Sequence, residues 1–415
     1  MTTASELSQF IKENDVKFVR LSFIDLDGRQ KNLSVMAEEL PRVLNTGVPF
    51  SAAAAGFNGD SGDDLFLFPD VSTLHILPWR PQHGRVARFL SFIKHSDGRK
   101  AYFDSRALLA DAVSEIRSAG ISCDLGTDCE FYLFKTDDEG FPTKNNHDNA
   151  GYFDIAPLDK GENVRREICL CLEEMGIRPL SSHHERGPGQ NEINFASTHV
   201  LEACDNYTIF QSVVKAIASR NGLFASFMPK PLENRSGNGL ALNITPYKNK
   251  TPLFNSDKLS PLAESFVAGI LNRAKDTGLI FNSFPNSYER LGKFGAPDTA
   301  EFGAKRGAFM RLTSKYGESC LELRSPDNAC NLYIVLTLIL KAGFEGIKNG
   351  EKLPSAKILL PSSLYQAIGF AKNSEFLYNA LGKNYVEDII NRKTVLAEEY
   401  ESDKEQSNQS AFERI

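Results

Sequence analysis

The sequence predicts an α+β protein in two parts, a small sheet domain over residues 1–103 and a larger domain over residues 104–415. Three observations carry this expectation. A chain of 415 residues is long enough for two domains, or for one large domain with a smaller partner. Its first quarter is rich in strand-like runs separated by turn residues. At Asp104-Ser105 the pattern changes to helix and strand signals that alternate almost to the end.

Residues 16–25 (VKFVRLSFID) alternate, and Asp27-Gly28 turns the chain before 31–36, which predicts a β-hairpin. Segments 64–69, 73–77 and 86–94 read as further strands, punctuated by Pro69-Asp70, Pro78 and His83-Gly84. The alanines at 52–55 are too few to make a dependable helix alone. Asp104-Ser105 caps a helix over 106–118, which Ala119-Gly120 stops. Residues 121–134 form a strand, and Asp128 and Glu130, two apart, share one of its faces. Residues 163–176 form an amphipathic helix, and 398–409 reads as a polar tail with little to bury.

Composition narrows the class. With 41% hydrophobic and 10% aromatic residues the chain can bury an ordinary globular core. Lys and Arg total 47 against 53 Asp and Glu, a net charge of -6 with no long run of one sign, which argues against nucleic-acid and membrane-surface partners. Residues 1–10 lack the basic-then-apolar pattern of a signal peptide, and the longest apolar run, 332–340, is too short to span a bilayer. The seven cysteines are an odd number with no CxxC pair, as expected of reduced thiols in a cytoplasmic protein.

The stretch with the most chemistry is 181–195, SSHHERGPGQNEINF. Gly187, Pro188 and Gly189 cannot continue a helix, so the chain turns there and brings its two sides together. Beyond the turn, Glu192-Ile193-Asn194-Phe195 alternates as a strand with one wet face. Glu185 and Glu192 therefore converge, and paired carboxylates repel unless a cation such as Mg or Mn lies between them. The plainer alternative is a pair of solvated surface glutamates.

Later in the chain, Arg290 follows Asn286-Ser287-Tyr288-Glu289, Arg306 and Arg311 stand five apart, and Glu322 and Arg324 share a strand face ahead of Ser325-Pro326-Asp327. Taken in order, DCEFYLF, HHERGPGQNE, FMPKPLENRSGNG, NSYERL and LELRSPDNACN resemble the successive signatures of the glutamine synthetase family. The early DLDGR and FPDVST segments fit that family's small domain, so the resemblance covers most of the chain. It implies an N-terminal β-grasp domain and a catalytic domain built on a curved, mostly antiparallel sheet flanked by helices. It also implies a homo-oligomeric ring, hexamer or dodecamer, whose sites are shared between neighbouring subunits.

The implied reaction belongs to nitrogen metabolism: ATP phosphorylates the side-chain carboxylate of glutamate, and an amine displaces the phosphate. By the same resemblance, Glu130, Glu185 and Glu192 hold one Mg or Mn, and Asp128 and Glu322 hold a second at the ATP phosphates. Arg290, Arg324 and Gly237 bind the amino acid, Arg306 and Arg311 meet the transferred phosphate, and Asn243 and Thr245 lie near the nucleotide.

The departures from the family pattern matter as much. Ala241 stands in the GNGLALN stretch where the family has a metal-binding His, Asp128 replaces a Glu, and Cys320 replaces a phosphate-binding Arg. On the amine side, Ser51 occupies the neighbourhood of the family's ammonium-binding Asp. The flap reads RLGKFGAP with Gly295 and no acid. These changes favour an ATP-dependent glutamate-amine ligase whose amine is not ammonia, as in relatives that make γ-glutamyl amides of methylamine or polyamines. Two alternatives stay open: an inactive homologue with a binding, sensing or assembly role, and an ordinary ammonia-dependent glutamine synthetase.

Overall fold

The computed structural model describes residues 4–57, 64–80, 83–255 and 258–415. Helix α1 (Ala4–Glu13) precedes the expected hairpin, an antiparallel pair of β1 (Val16–Ile24) and β2 (Gln30–Met36). Helix α2 (Leu40–Thr46) and strands β3 (Val48–Ser51), β4 (Asp64–Pro69), β5 (His75–Ile76) and β6 (Arg85–Lys94) follow. The sheet runs β2-β1-β6-β4-β3, with β5 on β6, and β1 lies parallel to β6. The strand expected at 73–77 shrinks to two residues, because Asp70 accepts the Ser72 N–H and caps a short 3-10 turn there.

Helix α3 (Ser105–Ser118) starts on the cap expected from sequence. One oxygen of Asp104 accepts the Ala107 N–H at 3.1 Å and the other accepts the Ile93 N–H at 2.8 Å, so the cap also pins the helix to β6. Then come β7 (Ile121–Thr136), β8 (Pro142–Asn146), α4 (Glu162–Glu174), β9 (Pro179–His184), β10 (Gln190–His199), α5 (Val200–Arg220), β11 (Leu223–Ser226), β12 (Leu240–Lys248) and β13 (Thr251–Pro252). Helices α6 (Pro261–Asn272), α7 (Ala274–Phe281) and α8 (Ser287–Arg290) lead to β14 (Thr299–Ala300), β15 (Met310–Lys315) and β16 (Glu318–Leu323). The chain ends with α9 (Leu332–Asn349), β17 (Ile358–Leu359), α10 (Leu364–Lys372), α11 (Glu375–Leu381), α12 (Lys383–Ser402) and α13 (Lys404–Arg414).

A second, nine-stranded sheet runs β15-β16-β12-β7-β10-β9, with β8 and β11 on β7 and β13 on β12. All its pairings are antiparallel. Strand β7, at 16 residues, is its spine. Phe131 on β7 packs against Phe210 of α5 and against Phe227, with centroids 6.1 and 5.7 Å apart. Because side chains alternate along a strand, Asp128 and Glu130 are thereby turned to the face away from α5.

The segment 398–409 is polar, as read, but helical rather than a tail. Tyr400 donates to Glu289 at 2.6 Å, Lys404 pairs with the same carboxylate, and α13 carries Phe412 into full burial between Phe134 and Phe224. One aromatic side chain thus supplies the anchor that its polar surroundings conceal. The apolar run 332–340 lies in α9, and among the described residues no helix is long and apolar enough to cross a membrane. All seven cysteines are free thiols, six of them buried.

A buried polar knot joins the two sheets. Arg106 of α3 donates to both oxygens of Asp205, at 3.0 and 2.8 Å, and to Asp70 at 2.9 Å, while Tyr333 donates to Asp205 at 2.8 Å. Breaking such a network leaves a carboxylate buried without its partner, which costs far more than losing a surface pair. Arg106→Ala is expected to lower unfolding free energy by about 3–5 kcal/mol in denaturant titration. A loss below about 1 kcal/mol, the range of a surface pair, would contradict this reading.

Candidate active site

The register of the large sheet assembles the site. Glu192 on β10 lies opposite His183 on β9 and opposite Glu130 on β7. One pair further along, Asn194 faces Ser181 on one side and Asp128 on the other, and Asp128 in turn faces Ala241 on β12. Asn243 then faces Glu322 on β16, which faces Arg311 on β15. Residues far apart in sequence therefore reach one face of one sheet in three adjoining rows.

The tight turn between β9 and β10 holds the first row in place. Gly189 has φ +73°, and a Cβ there would stand 2.7 Å from the Leu133 carbonyl. Asp148 braces the turn from behind, accepting the Gly189 N–H and bonding His184 Nε2, both at 2.9 Å. Glu185 and Glu192 are thus brought together, as the sequence predicts, and His183 joins them. One ligand atom from each of the three lies within 4.8 Å of the others. His183 Nε2 is 3.2 Å from Glu185 and 4.0 Å from Glu192.

A cavity of about 160 Å³ opens over this face. It is lined by ten of the sequence candidates, among them Asp128, Glu130, Glu185, Glu192 and Glu322 from the acidic set. Gly237, Arg290, Gly295, Arg306 and Arg324 complete the ten. At Gly237 a side chain is excluded outright, since a Cβ would meet the Pro229 carbonyl at 2.4 Å and Arg290 at 2.9 Å. Arg290 is buried and donates to the carbonyls of Ser325 and Pro326, which fixes its fork in the wall.

Four candidates stand outside the lining. Arg311 is one step removed, its guanidinium on Glu322. Asn243 donates to Asp128 at 3.0 Å, and Thr245 turns to the Ser319 carbonyl further along β12. Ser51 lies on β3 at the edge of the first sheet, where its hydroxyl accepts the Ala54 N–H.

The sequence reading missed three lining or neighbouring groups. His183 carried a local signal, because it precedes Glu185 by two on a strand and shares its face. Tyr152 stacks on Phe153 at 4.0 Å, and both rings meet His183 edge-on. Lys315 had no local signal: its ammonium bonds Asp128, 187 positions away, and Glu322.

Electrostatics divide the face in two. Burial, reinforced by the neighbouring Glu192 and Glu185, pushes Glu130 up to about 8, and burial with Asp128 and Glu185 nearby raises Glu192 to about 7. Glu322 goes the other way: burial opposes its charge, but Arg311, Lys315 and Arg324 outweigh it and pull it down to about 2. The first group is thus short of positive charge and the second is not. A hard divalent cation fits the first group, where Glu185, Glu192 and His183 converge beside Glu130.

A pH dependence follows. Glu130 keeps its proton in the folded chain up to about 8, whereas an unfolded Glu loses it near 4.5, so its contribution to stability is lost as pH rises between those values. A divalent cation that relieves the repulsion must then stabilise most at the alkaline end. The rise in Tm on adding Mg or Mn is expected to be larger near pH 8 than near pH 6, and Glu130→Gln is expected to flatten the difference. A metal-induced shift indifferent to pH in the wild type would refute it.

Comparison with known proteins places the chain in a family. The family model for the glutamine synthetase catalytic domain matches residues 102–414, and that for the glutamine synthetase β-grasp domain matches 15–96. Glutamine synthetase of Clostridium saccharobutylicum is 37% identical over 423 residues, covering 96% of each chain. That of Staphylococcus aureus strain MW2 is 38% identical over 419 residues, covering 95% of this chain and 94% of its own. Among solved structures, a complex of GmaS with ADP superposes with a TM-score of 0.88 at 27% identity, covering 99% of both chains. Plasmodium falciparum glutamine synthetase, at 22% identity and TM-score 0.88 over 97% of both chains, shares the fold. With both of its large sheets within the regions matched by the two family models, this chain belongs to the glutamine synthetase family.

Proposed function

We propose that the protein is an ATP-dependent ligase that activates the side-chain carboxylate of glutamate and joins it to an amine other than ammonia. The observation that carries this reading is a cavity lined by five carboxylates together with Arg306, Arg324 and Lys315, the last two in contact with Glu322, and by a segment 293–296 without any carboxylate. The full-length relatives named glutamine synthetase and the GmaS structure containing ADP support a nucleotide-dependent ligase.

In the first step a carboxylate oxygen of glutamate attacks the γ-phosphorus of ATP and ADP leaves. In the second the amine nitrogen attacks the acyl carbon, phosphate departs with its bonding electrons, and the nitrogen loses a proton. Arg306 and Arg324 are assigned to the developing phosphoryl charge, where a preformed guanidinium needs no reorganisation. Arg290 and the bare backbone of Gly237 form the wall assigned to the amino acid. A divalent ion held by Glu185, Glu192 and His183 beside Glu130 would supply charge neutralisation between substrate and carboxylates.

The lip is Lys293, Phe294, Gly295 and Ala296. Its one charge is a cation, which repels ammonium. The nearest acids in sequence, Asp298, Glu289 and Glu301, do not line the cavity; Glu289 is held by Tyr400 and Lys404, and Glu301 pairs with Lys357 at 2.9 Å. Phe294 and Tyr152 at the mouth instead offer apolar surface to an alkylamine. Ser51 does not line this cavity, so its proposed role at the amine side requires a neighbouring subunit of a ring. A second reading, a binding or sensing member without turnover, draws on Ala241 and Cys320.

ADP release with ATP, glutamate and Mg or Mn distinguishes these readings. An alkylamine is expected to exceed ammonia in kcat/KM by roughly 10- to 200-fold, the range one added methylene gives in an apolar pocket. Arg324→Ala is expected to lower kcat by about 10²–10³. Ammonia equal to or better than every alkylamine and polyamine would overturn the proposed amine. Silence across the panel with ADP binding retained would establish the second reading.

A further inference from the structure

We infer that the ammonium of Lys315 stands in for the second divalent ion, so that each subunit holds one metal and not two. The inference rests on the family reading of Asp128 and Glu322 as the pair facing the nucleotide phosphates. It is carried by the positions of the side chains around that pair.

Strand β12 separates Asp128 on β7 from Glu322 on β16. A metal bridging them needs a donor from β12, yet the residue opposite Asp128 is Ala241, whose methyl group offers none. The next side chain on that face, Asn243, turns its amide N–H rather than its oxygen to Asp128 at 3.0 Å, and its Oδ1 accepts from the Cys320 thiol at 3.8 Å. Lys315, at the end of β15, reaches across and bonds both carboxylates, with Glu322 Oε1 at 2.7 Å. Its side chain is only 21% exposed, and it lines the cavity. Arg311 takes the other oxygen of Glu322, and Arg324 approaches Oε1 at 3.4 Å.

Charge arithmetic decides between ion and ammonium. The pair carries two negative charges, and Lys315, Arg311 and Arg324 bring three positive ones. A divalent ion placed there would join an excess of positive charge. It would also find two carboxylates already engaged, where Mg requires six oxygens in near-octahedral array. Among the described residues, Glu185, Glu192 and Glu130 form no ion pair with a Lys or Arg, their one ion-pair neighbour being His183, so the same ion is needed there. A fixed ammonium also gives the nucleotide phosphates a cation that does not depend on dissolved metal.

Counting Mn bound to the nucleotide-free protein by electron paramagnetic resonance of the free ion tests this without any turnover. The wild type is expected to bind one Mn per subunit, and the double variant Ala241→His with Lys315→Ala is expected to bind two. In EDTA, Lys315→Ala alone is expected to weaken ADP binding at least about tenfold, and Lys315→Arg to restore most of it. Two Mn per subunit in the wild type would overturn the inference, and so would unchanged ADP affinity in Lys315→Ala. An inactive protein that binds one Mn would refute the proposed ligase and leave this inference standing.

Discussion

Five carboxylates crowded on one face of a sheet are the constraint on which the rest of this structure depends. Asp128, Glu130, Glu185, Glu192 and Glu322 all line one cavity. In a partly dry site their repulsion is felt at several times its strength in water. The fold tolerates them because it answers the charge differently at each end. Around Glu322 the answer is covalent, three basic side chains, two on β15 and one just beyond β16. Around Glu185 and Glu192 the answer is left to something that binds.

That asymmetry gives a physical meaning to the departures from the family pattern. If Ala241 stands where the resemblance puts a ligand His, an ion's donor is gone, and without compensation two carboxylates would be left unpaired. Lys315 supplies the compensation. On the other side, removing acids from the lip costs nothing electrostatically, because Lys293 and Phe294 need no partner ion there. On the proposed reading, the site relies on built-in cations in place of one bound ion and admits an apolar amine in place of a charged one.

Much of this was legible in the sequence because it is local. Alternation along 121–134 placed Asp128 and Glu130 on one face, and the Gly-Pro-Gly turn brought Glu185 back beside Glu192. The cap at Asp104 and the Asp27-Gly28 hairpin were equally local. What escaped depends on register across strands that are far apart in sequence: Lys315 meets Asp128 only because β12 and β16 lie between β7 and β15. Phe412 escaped because a single buried ring at the end of a polar helix leaves no periodic trace. Ser51 stays apart from the cavity because β3, which carries it, belongs to the other sheet.

The central claim is that this face activates a carboxylate by phosphorylation, and isotope transfer tests it directly. Glutamate labelled with ¹⁸O in its side-chain carboxylate is incubated with ATP, a divalent ion and the preferred amine, and the phosphate released is analysed by mass spectrometry. Transfer of one labelled oxygen to each phosphate is the predicted result, since the oxygen that attacks ATP leaves with the phosphoryl group. Unlabelled phosphate would mean that water receives the phosphoryl group, and the acidic face would then have some other purpose.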